Sequence, residues 1–168
     1  MKLKVINLDT VNSTNDSAKK KIRSGLSYGI VVAKKQLKGR GQYGRKWISF
    51  VNNLHISLFM QINKRISLAT INKFNLKSIK KSIAKFTKKK ISIKYPNDLI
   101  INKEKICGIL QETIIFNNNK FLIVGVGINI SKSPILKNYP TGYLNKYAKS
   151  KVLKKSLIKE IKINYEKN

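Results

Sequence analysis

Apolar residues recur along the chain with two periods, and the switches between them mark out the elements. Residues 3–8 alternate and predict a short strand. Ser13-Thr14-Asn15-Asp16 offers N-cap side chains and an early acidic charge for a helix running to about Ser24, with Gly25 as its stop. Residues 29–34 (GIVVAK) read as a strand. Residues 54–62 alternate cleanly, with Leu54, Ile56, Leu58, Met60 and Ile62 on one face. Over residues 66–86, Leu68, Ile71, Leu76, Ile79 and Ile83 fall at helical spacing. Residues 91–94 predict a strand that runs into the turn signal Pro96-Asn97-Asp98. Residues 98–101 and 106–116 predict a hairpin around Asn102-Lys103-Glu104-Lys105. Asn117-Asn118-Asn119 makes the next turn, and residues 121–130 a buried strand holding two glycines. From Lys149, Leu153, Leu157, Ile161 and Tyr165 repeat every four residues, predicting a terminal helix over 150–168. This order predicts an α+β domain with a mixed, mainly antiparallel sheet and flanking helices. No internal repeat and no dividing linker interrupt it.

Composition changes the picture in one respect. The chain of 168 residues suits a single domain, and its 42% of hydrophobic residues suffices for a core. Its net charge of +29, from 36 Lys and Arg against 7 Asp and Glu, first suggests a nucleic-acid binder. The excess is nearly all lysine, however, spread from Lys2 to Lys167, and Asn and Ile are over-used beside it. These three residues share A/T-rich codons, so genome drift is the better reading, and no specific nucleic-acid partner is expected. Cys107 is the one cysteine, which excludes an intramolecular disulfide and a cysteine-based metal site. The N-terminus has no apolar signal region, and no apolar run approaches the ~18 residues of a membrane span. The expectation is a cytoplasmic protein without a membrane partner. His55, the one histidine, lies opposite the apolar face of its strand and can anchor neither a triad nor a zinc site.

Four stretches can carry chemistry. In Gly39-Arg40-Gly41-Gln42-Tyr43-Gly44-Arg45-Lys46-Trp47 the glycines allow sharp turns and close approach, exposed amides with Arg40 and Arg45 make an anion cradle, and Trp47 can stack on a flat ring. A dinucleotide fingerprint needs a helix straight after the glycines, whereas this loop leads towards a strand. A mobile basic surface loop is the plain alternative. Lys94-Tyr95-Pro96-Asn97-Asp98 brings a cation, an amide and a carboxylate to a rigid turn; the plain alternative is a turn whose Asp caps its own backbone. Lys105, ahead of Ile106-Cys107-Gly108-Ile109-Leu110, can project from a strand end into a pocket, though a lone lysine is solvent-exposed by default. The glycines of Gly125-Val126-Gly127-Ile128-Asn129 point to a group passing close to the strand, and Asn129, if buried, needs a partner.

Together, and in this order with Ser13-Thr14-Asn15 ahead of them, these stretches resemble the catalytic domain of biotin protein ligases over about residues 8–131. The resemblance implies the fold group shared with class II aminoacyl-tRNA synthetases. It also implies a two-step chemistry: biotin and Mg·ATP give biotinyl-5′-adenylate, and a lysine of a biotin carboxyl carrier protein, a subunit of acetyl-CoA carboxylase, then takes the biotinyl group. The implied biotin contacts are Ser13, Thr14, Asn15, Gln36, Arg40, Gly41, Gln42 and Lys105. The implied ATP contacts are Arg45, Trp47, Lys94, Asn97 and Asn129, with Asp98 on Mg²⁺. Lys105 and Arg40 are the implied catalytic residues. Three departures stand out. Gln42 occupies a loop position where many relatives have arginine, which implies leakier adenylate. Tyr95 replaces the more usual Trp. No DNA-binding domain is expected ahead of the first strand, and a basic helix over 150–168 stands where many relatives carry a β domain. The expected state is a monomer or weak homodimer. The competing readings are a lipoate or octanoate ligase of the same fold group, and a decayed scaffold that binds nucleic acid through charge alone.

Overall fold

The computed structural model describes residues 2–167; Met1 and Asn168, the last residue of the expected terminal helix, lie outside the described residues. Seven strands form one sheet in the order β1-β2-β3-β7-β6-β5-β4. They are β1 (Val5–Val11), β2 (Tyr28–Gln36), β3 (Leu54–Ile62), β4 (Ser92–Lys94), β5 (Asp98–Ile101), β6 (Glu104–Phe116) and β7 (Asn119–Ile128). Three helices flank it: α1 (Thr14–Arg23), α2 (Leu68–Ala84) and α3 (Lys154–Glu166). Only β1 and β2 pair in parallel, joined through α1; the other pairs are antiparallel. The mixed, mainly antiparallel sheet expected from the sequence is the sheet found.

Two element ends shift for a local reason. The β5–β6 hairpin turns on Asn102 and Lys103 alone, both at positive φ (49° and 66°), so Glu104 and Lys105 already belong to β6. The β6–β7 hairpin turns on Asn117 and Asn118 in the same way (46° and 58°), which puts Asn119 in the strand. Both turns have the handedness that matches strand twist, and asparagine tolerates it. The terminal helix begins at Lys154 rather than Lys149.

The core is split by the sheet. On one face Leu54, Ile56 and Leu58 of β3 join Val124, Val126 and Ile128 of β7 beneath Ile79 and Ile83 of α2 and Leu157 and Ile161 of α3. On the other, Val31, Phe59 and Ile123 pack under Ala18 and Ile22 of α1. The face of β3 opposite its alternating apolar residues is therefore also interior: Ser57 and Phe59 are fully buried and His55 is 1% exposed.

His55 Nε2 lies 3.0 Å from the Phe50 carbonyl, and Nδ1 has no partner. That geometry suits a neutral ring donating from Nε2, and burial holds its pKa at about 4, well below the usual 6.5. Between those values the unfolded chain binds a proton that the folded chain does not, so this contribution is full above pH 6.5 and is lost as pH falls towards 4. Wild type should lose on the order of 3 kcal/mol relative to His55→Gln across that window, measured by urea unfolding at a series of pH values. Parallel curves would show that His55 is not buried neutral.

Candidate active site

Cross-strand register lines up Lys94, Asp98, Gly108, Gly127 and His55 in one row across five strands. The next row on the same face carries Leu110, Gly125 and Ser57. Where three of these positions lack a side chain, the sheet leaves a hollow at the end of α1, and a cavity of about 680 Å³ lies over it. The space is already contested. A Cβ on Gly127 would sit 2.3 Å from the Trp47 ring, one on Gly108 2.8 Å from the same ring, and one on Gly125 2.4 Å from Asn15 Oδ1. The group passing close to the glycine-bearing strand is thus Trp47 on one side and Asn15 on the other.

The inner end of the cavity is polar. Ser13 stands at the N-cap of α1 but makes no side-chain cap bond; it lines the cavity instead, so the expected capping role falls away. Thr14 donates from N and Oγ1 to Gln36 Oε1 (2.8 and 3.0 Å). The Ser57 hydroxyl lies 2.8 Å from Thr14 Oγ1 and 2.5 Å from Asn15 Oδ1. Asn15 Nδ2 donates to Glu112 Oε2 (2.6 Å).

The glycine-rich loop folds over this end as a small hairpin. Arg40 bridges Lys46, Trp47 N donates to Gly39 O (2.9 Å) and Gly41 N to Arg45 O (2.6 Å). The tip is tight, with Tyr43 and Gly44 at φ 55° and 71°. These bonds take up the amides of Gly41 and Trp47, and Arg45 N donates to Gln42 O (3.2 Å), which leaves the expected anion cradle to the loop's side chains and its remaining amides. Arg40 is itself engaged: its guanidinium forks onto Asp16 (2.7 Å to each oxygen), which holds the Asp16 carboxyl below the usual carboxylate range.

The opposite end holds charge. Lys94 and Asp98 face each other across the β4–β5 pair, and Lys105 Nζ lies 2.8 Å from Asp98 Oδ1. Lys105 reaches this face because the ladder shifts register between Leu99 and Ile100, which seats both Ile106 and Cys107 in the core and turns the residue before them outward to the cavity. Cys107 is a core residue whose thiol pKa burial pushes up. The main chain of Lys105 is pinned by a strap beyond β7: its N donates to Pro140 O (2.9 Å) and its O accepts from Gly142 N (3.0 Å). Tyr139 of that strap donates to Asp98 Oδ2 (2.8 Å) and lies under Lys94 Nζ, 4.1 Å from the ring centroid. Burial, with the bond to Asp98, pushes the Tyr139 hydroxyl up to about 12, so it remains a donor.

Every candidate site residue named from the sequence lines this one cavity. Several are already bonded within the protein, and so are Asn129 and Asn97. The Asn129 amide donates to Gly142 O (3.1 Å) and accepts from Asn53 (3.2 Å), and Asn97 Nδ2 donates to Ile109 O (3.2 Å). Ser57, Glu112 and Tyr139 escaped the sequence reading. Only Glu112 carried a signal, as one of 7 acidic residues in a chain of net charge +29. Among the described residues no group of three or more His, Cys, Asp or Glu is placed to hold a metal, and Asp98 is the single carboxylate at the charged end. A Mg²⁺ there fits only as an ion that takes its other ligands from phosphate oxygens and water.

Among known proteins, the chain is 31% identical over 130 residues to the bifunctional ligase/repressor BirA of Escherichia coli, covering 74% of this chain and 40% of BirA. It is 30% identical over 139 residues to the biotin–[acetyl-CoA-carboxylase] ligase of Paracoccus denitrificans, covering 76% of this chain and 55% of that protein. The chain thus spans about half the length of these relatives or less. A solved structure of the biotin protein ligase of Aquifex aeolicus with biotin and ATP superposes with a TM-score of 0.83 at 27% identity, covering 98% of this chain and 69% of that one. No helix among the described residues is long and apolar enough to cross a membrane. The family model of the biotin/lipoate A/B protein ligases matches residues 8–129, the segment that supplies all of the cavity except its outer strap, and the chain belongs to that family.

Proposed function

We propose that the chain is an ATP-dependent biotin–[acetyl-CoA-carboxylase] ligase acting on a biotin carboxyl carrier protein. The observation that carries this reading is the polar inner end of the cavity. Buried Thr14, Asn15 and Ser57 with half-buried Gln36 form a cluster of donors and acceptors that suits an acid with a ureido ring. The dithiolane of lipoate offers this cluster no hydrogen-bond donor or acceptor to match, whereas a ureido ring brings both. The lipoate reading rests on the family model, which spans biotin and lipoate ligases alike, and on a fold shared with an archaeal lipoate protein ligase (TM-score 0.70 at 8% identity).

Biotin seats its ring on Ser13, Thr14, Asn15 and Gln36, beneath Arg40, Gly41 and Gln42, and its carboxylate reaches towards Lys105. The triphosphate lies by Lys94, Asn97, Asp98 and Arg45, with the adenine against Trp47 and Asn129. A biotin carboxylate oxygen attacks the α-phosphorus, the bond to the β-phosphate oxygen breaks, and pyrophosphate leaves. Negative charge gathers on the α-phosphate oxygens, where the Lys105 ammonium stabilises it with little reorganisation because Asp98 and the strap hold it in place. Mg²⁺, held by Asp98 and the phosphates, supplies charge neutralisation when bound. The acceptor lysine amine then attacks the acyl carbon, forms the amide, releases AMP and loses a proton. Arg40 shields the mixed anhydride as part of the closed loop. The ligase is read as cytoplasmic, as a monomer or weak homodimer, without specific nucleic-acid contacts.

The first test is biotin-dependent exchange of labelled pyrophosphate into ATP, with lipoate as the control acid. Exchange with biotin alone is expected; exchange with lipoate alone, or with neither acid in folded protein, would overturn the assignment. Lys105→Ala should lower that exchange by roughly two to three orders of magnitude with unchanged circular dichroism, and near-normal exchange would remove Lys105 from catalysis. Fluorescence of Trp47, the only tryptophan, should change on adding biotin with ATP; a silent signal would contradict the seating of the adenine. Gln42→Arg should slow release of biotinyl-adenylate in a filter-binding assay, and an unchanged release rate would show that Gln42 is not a point of leakage.

A further inference from the structure

Glu112 has no part in the chemistry above, yet it touches both halves of the site. It stands on β6 in the ladder row of Ile123 and Phe59, facing α1. Its Oε1 lies 2.9 Å from Lys19 Nζ, its Oε2 accepts from Asn15 Nδ2 at 2.6 Å, and the same Oε2 lies 3.6 Å from the Arg40 guanidinium. Asp16 completes a closed ring of alternating charge, forked by Arg40 at 2.7 Å and 3.7 Å from Lys19. The two carboxylates differ in one respect. Asp16 ties the loop to α1 and does nothing else in the cavity. Glu112 shares one oxygen between a loop residue and a residue of the cavity floor.

That sharing has a direction. Asn15 Nδ2 gives a short bond to Glu112 and a longer one, 3.4 Å, to the Leu110 carbonyl, and its Oδ1 lies 2.5 Å from the Ser57 hydroxyl. A ligand carbonyl seated on the floor accepts from Asn15 Nδ2 and draws that donor away from Glu112. Lys19 already sits on Oε1 at 2.9 Å, so the cation left for the released Oε2 is Arg40, and a carboxylate oxygen freed of a neutral donor closes on a guanidinium that offers further N–H groups. We infer that Glu112 is a positioning residue that couples occupancy of the cavity floor to closure of the glycine-rich loop, exchanging its bond to Asn15 for one to Arg40 when the biotin ring is seated. This rests on the proposed function for the identity of the ligand. With an empty floor the loop is held mainly through Asp16; with the floor filled it is held through both carboxylates.

The test uses tryptic cleavage of the full-length protein at Arg45 and Lys46, resolved by mass spectrometry, without ligand and with saturating biotin; no turnover is needed. In wild type, biotin should slow cleavage at these sites by about fivefold or more. Glu112→Gln keeps an acceptor for Asn15 but loses the charge for Arg40, and should show protection within about twofold of its own ligand-free rate. Asp16→Asn should speed cleavage with and without biotin while leaving the ratio between them as in wild type. Glu112→Asp, which restores the charge, should recover part of the ratio; this separates lost coupling from a damaged fold, as does an unchanged circular dichroism spectrum. Equal biotin protection in Glu112→Gln and wild type would overturn the coupling while leaving the proposed function intact. Wild type that fails to bind biotin in calorimetry would overturn the proposed function and the coupling with it.

Discussion

Three bare strand positions set the terms for everything on the functional side of the sheet. The central strands are buried on both faces, and a sheet face normally fills its cover with side chains. Here the α1 face does so at one end, through Val31, Phe59 and Ile123, and stops at Gly125, Gly127 and Gly108. A Cβ at Gly127 would lie inside the Trp47 indole, and one at Gly125 would displace Asn15. The floor of the cavity, the orientation of Asn15 and the seat of the glycine-rich loop therefore rest on atoms that are not there. The opposite face of the same strands is unbroken apolar packing against α2 and α3, which keeps the strands in place while one side is hollowed out.

Charge works in the reverse sense to its abundance. Against 36 cations the chain has 7 carboxylates, and Asp16, Asp98, Glu104 and Glu112 all stand at the cavity or in its supports. Glu104 fills the space beside Gly142 and pairs with Lys146 (2.8 Å), fixing the strap that pins Lys105. A field that is positive everywhere draws a polyphosphate towards the protein but cannot place it. Placement comes from the carboxylates, because each selects one or two cations among many and gives them fixed positions.

Alternation and helical spacing made the sheet strands, α2 and the α1 segment legible, because those patterns reflect which face is buried, and burial dominates local folding. The cavity-lining residues Ser13 to Asn15, Arg40, Trp47, Asp98 and Lys105 were legible as an ordered set of motifs, since short motifs survive without knowledge of what lies opposite them. What stayed hidden depends on pairing across long separations. Glu112 meets Asn15 97 positions away, and Tyr139 meets Asp98 41 positions away. Asn129 read as a polar group that needs partners if buried; it is buried, and its partners are Asn53, just ahead of β3, and Gly142 of the strap. The N-cap reading of Ser13 failed for a related reason: the same hydroxyl serves a cap or a cavity, and only the tertiary structure decides between them.

The irregularity in the β5–β6 ladder has a consequence for how this hairpin can vary. Side chains on a strand obey a parity rule: odd and even positions look to opposite sides. By that rule alone Lys105 would share the side of Cys107 and point into the core. The extra residue at the register shift reverses the parity just before the core residues begin. The hairpin thus behaves like a reading frame. The frame is set on β6 itself, between Lys105 and Cys107, so a change of length in the turn leaves it alone, whereas ironing out the irregularity with Ile106 retained would turn the ammonium towards Leu99 and Ile101 and leave the cavity without its cation.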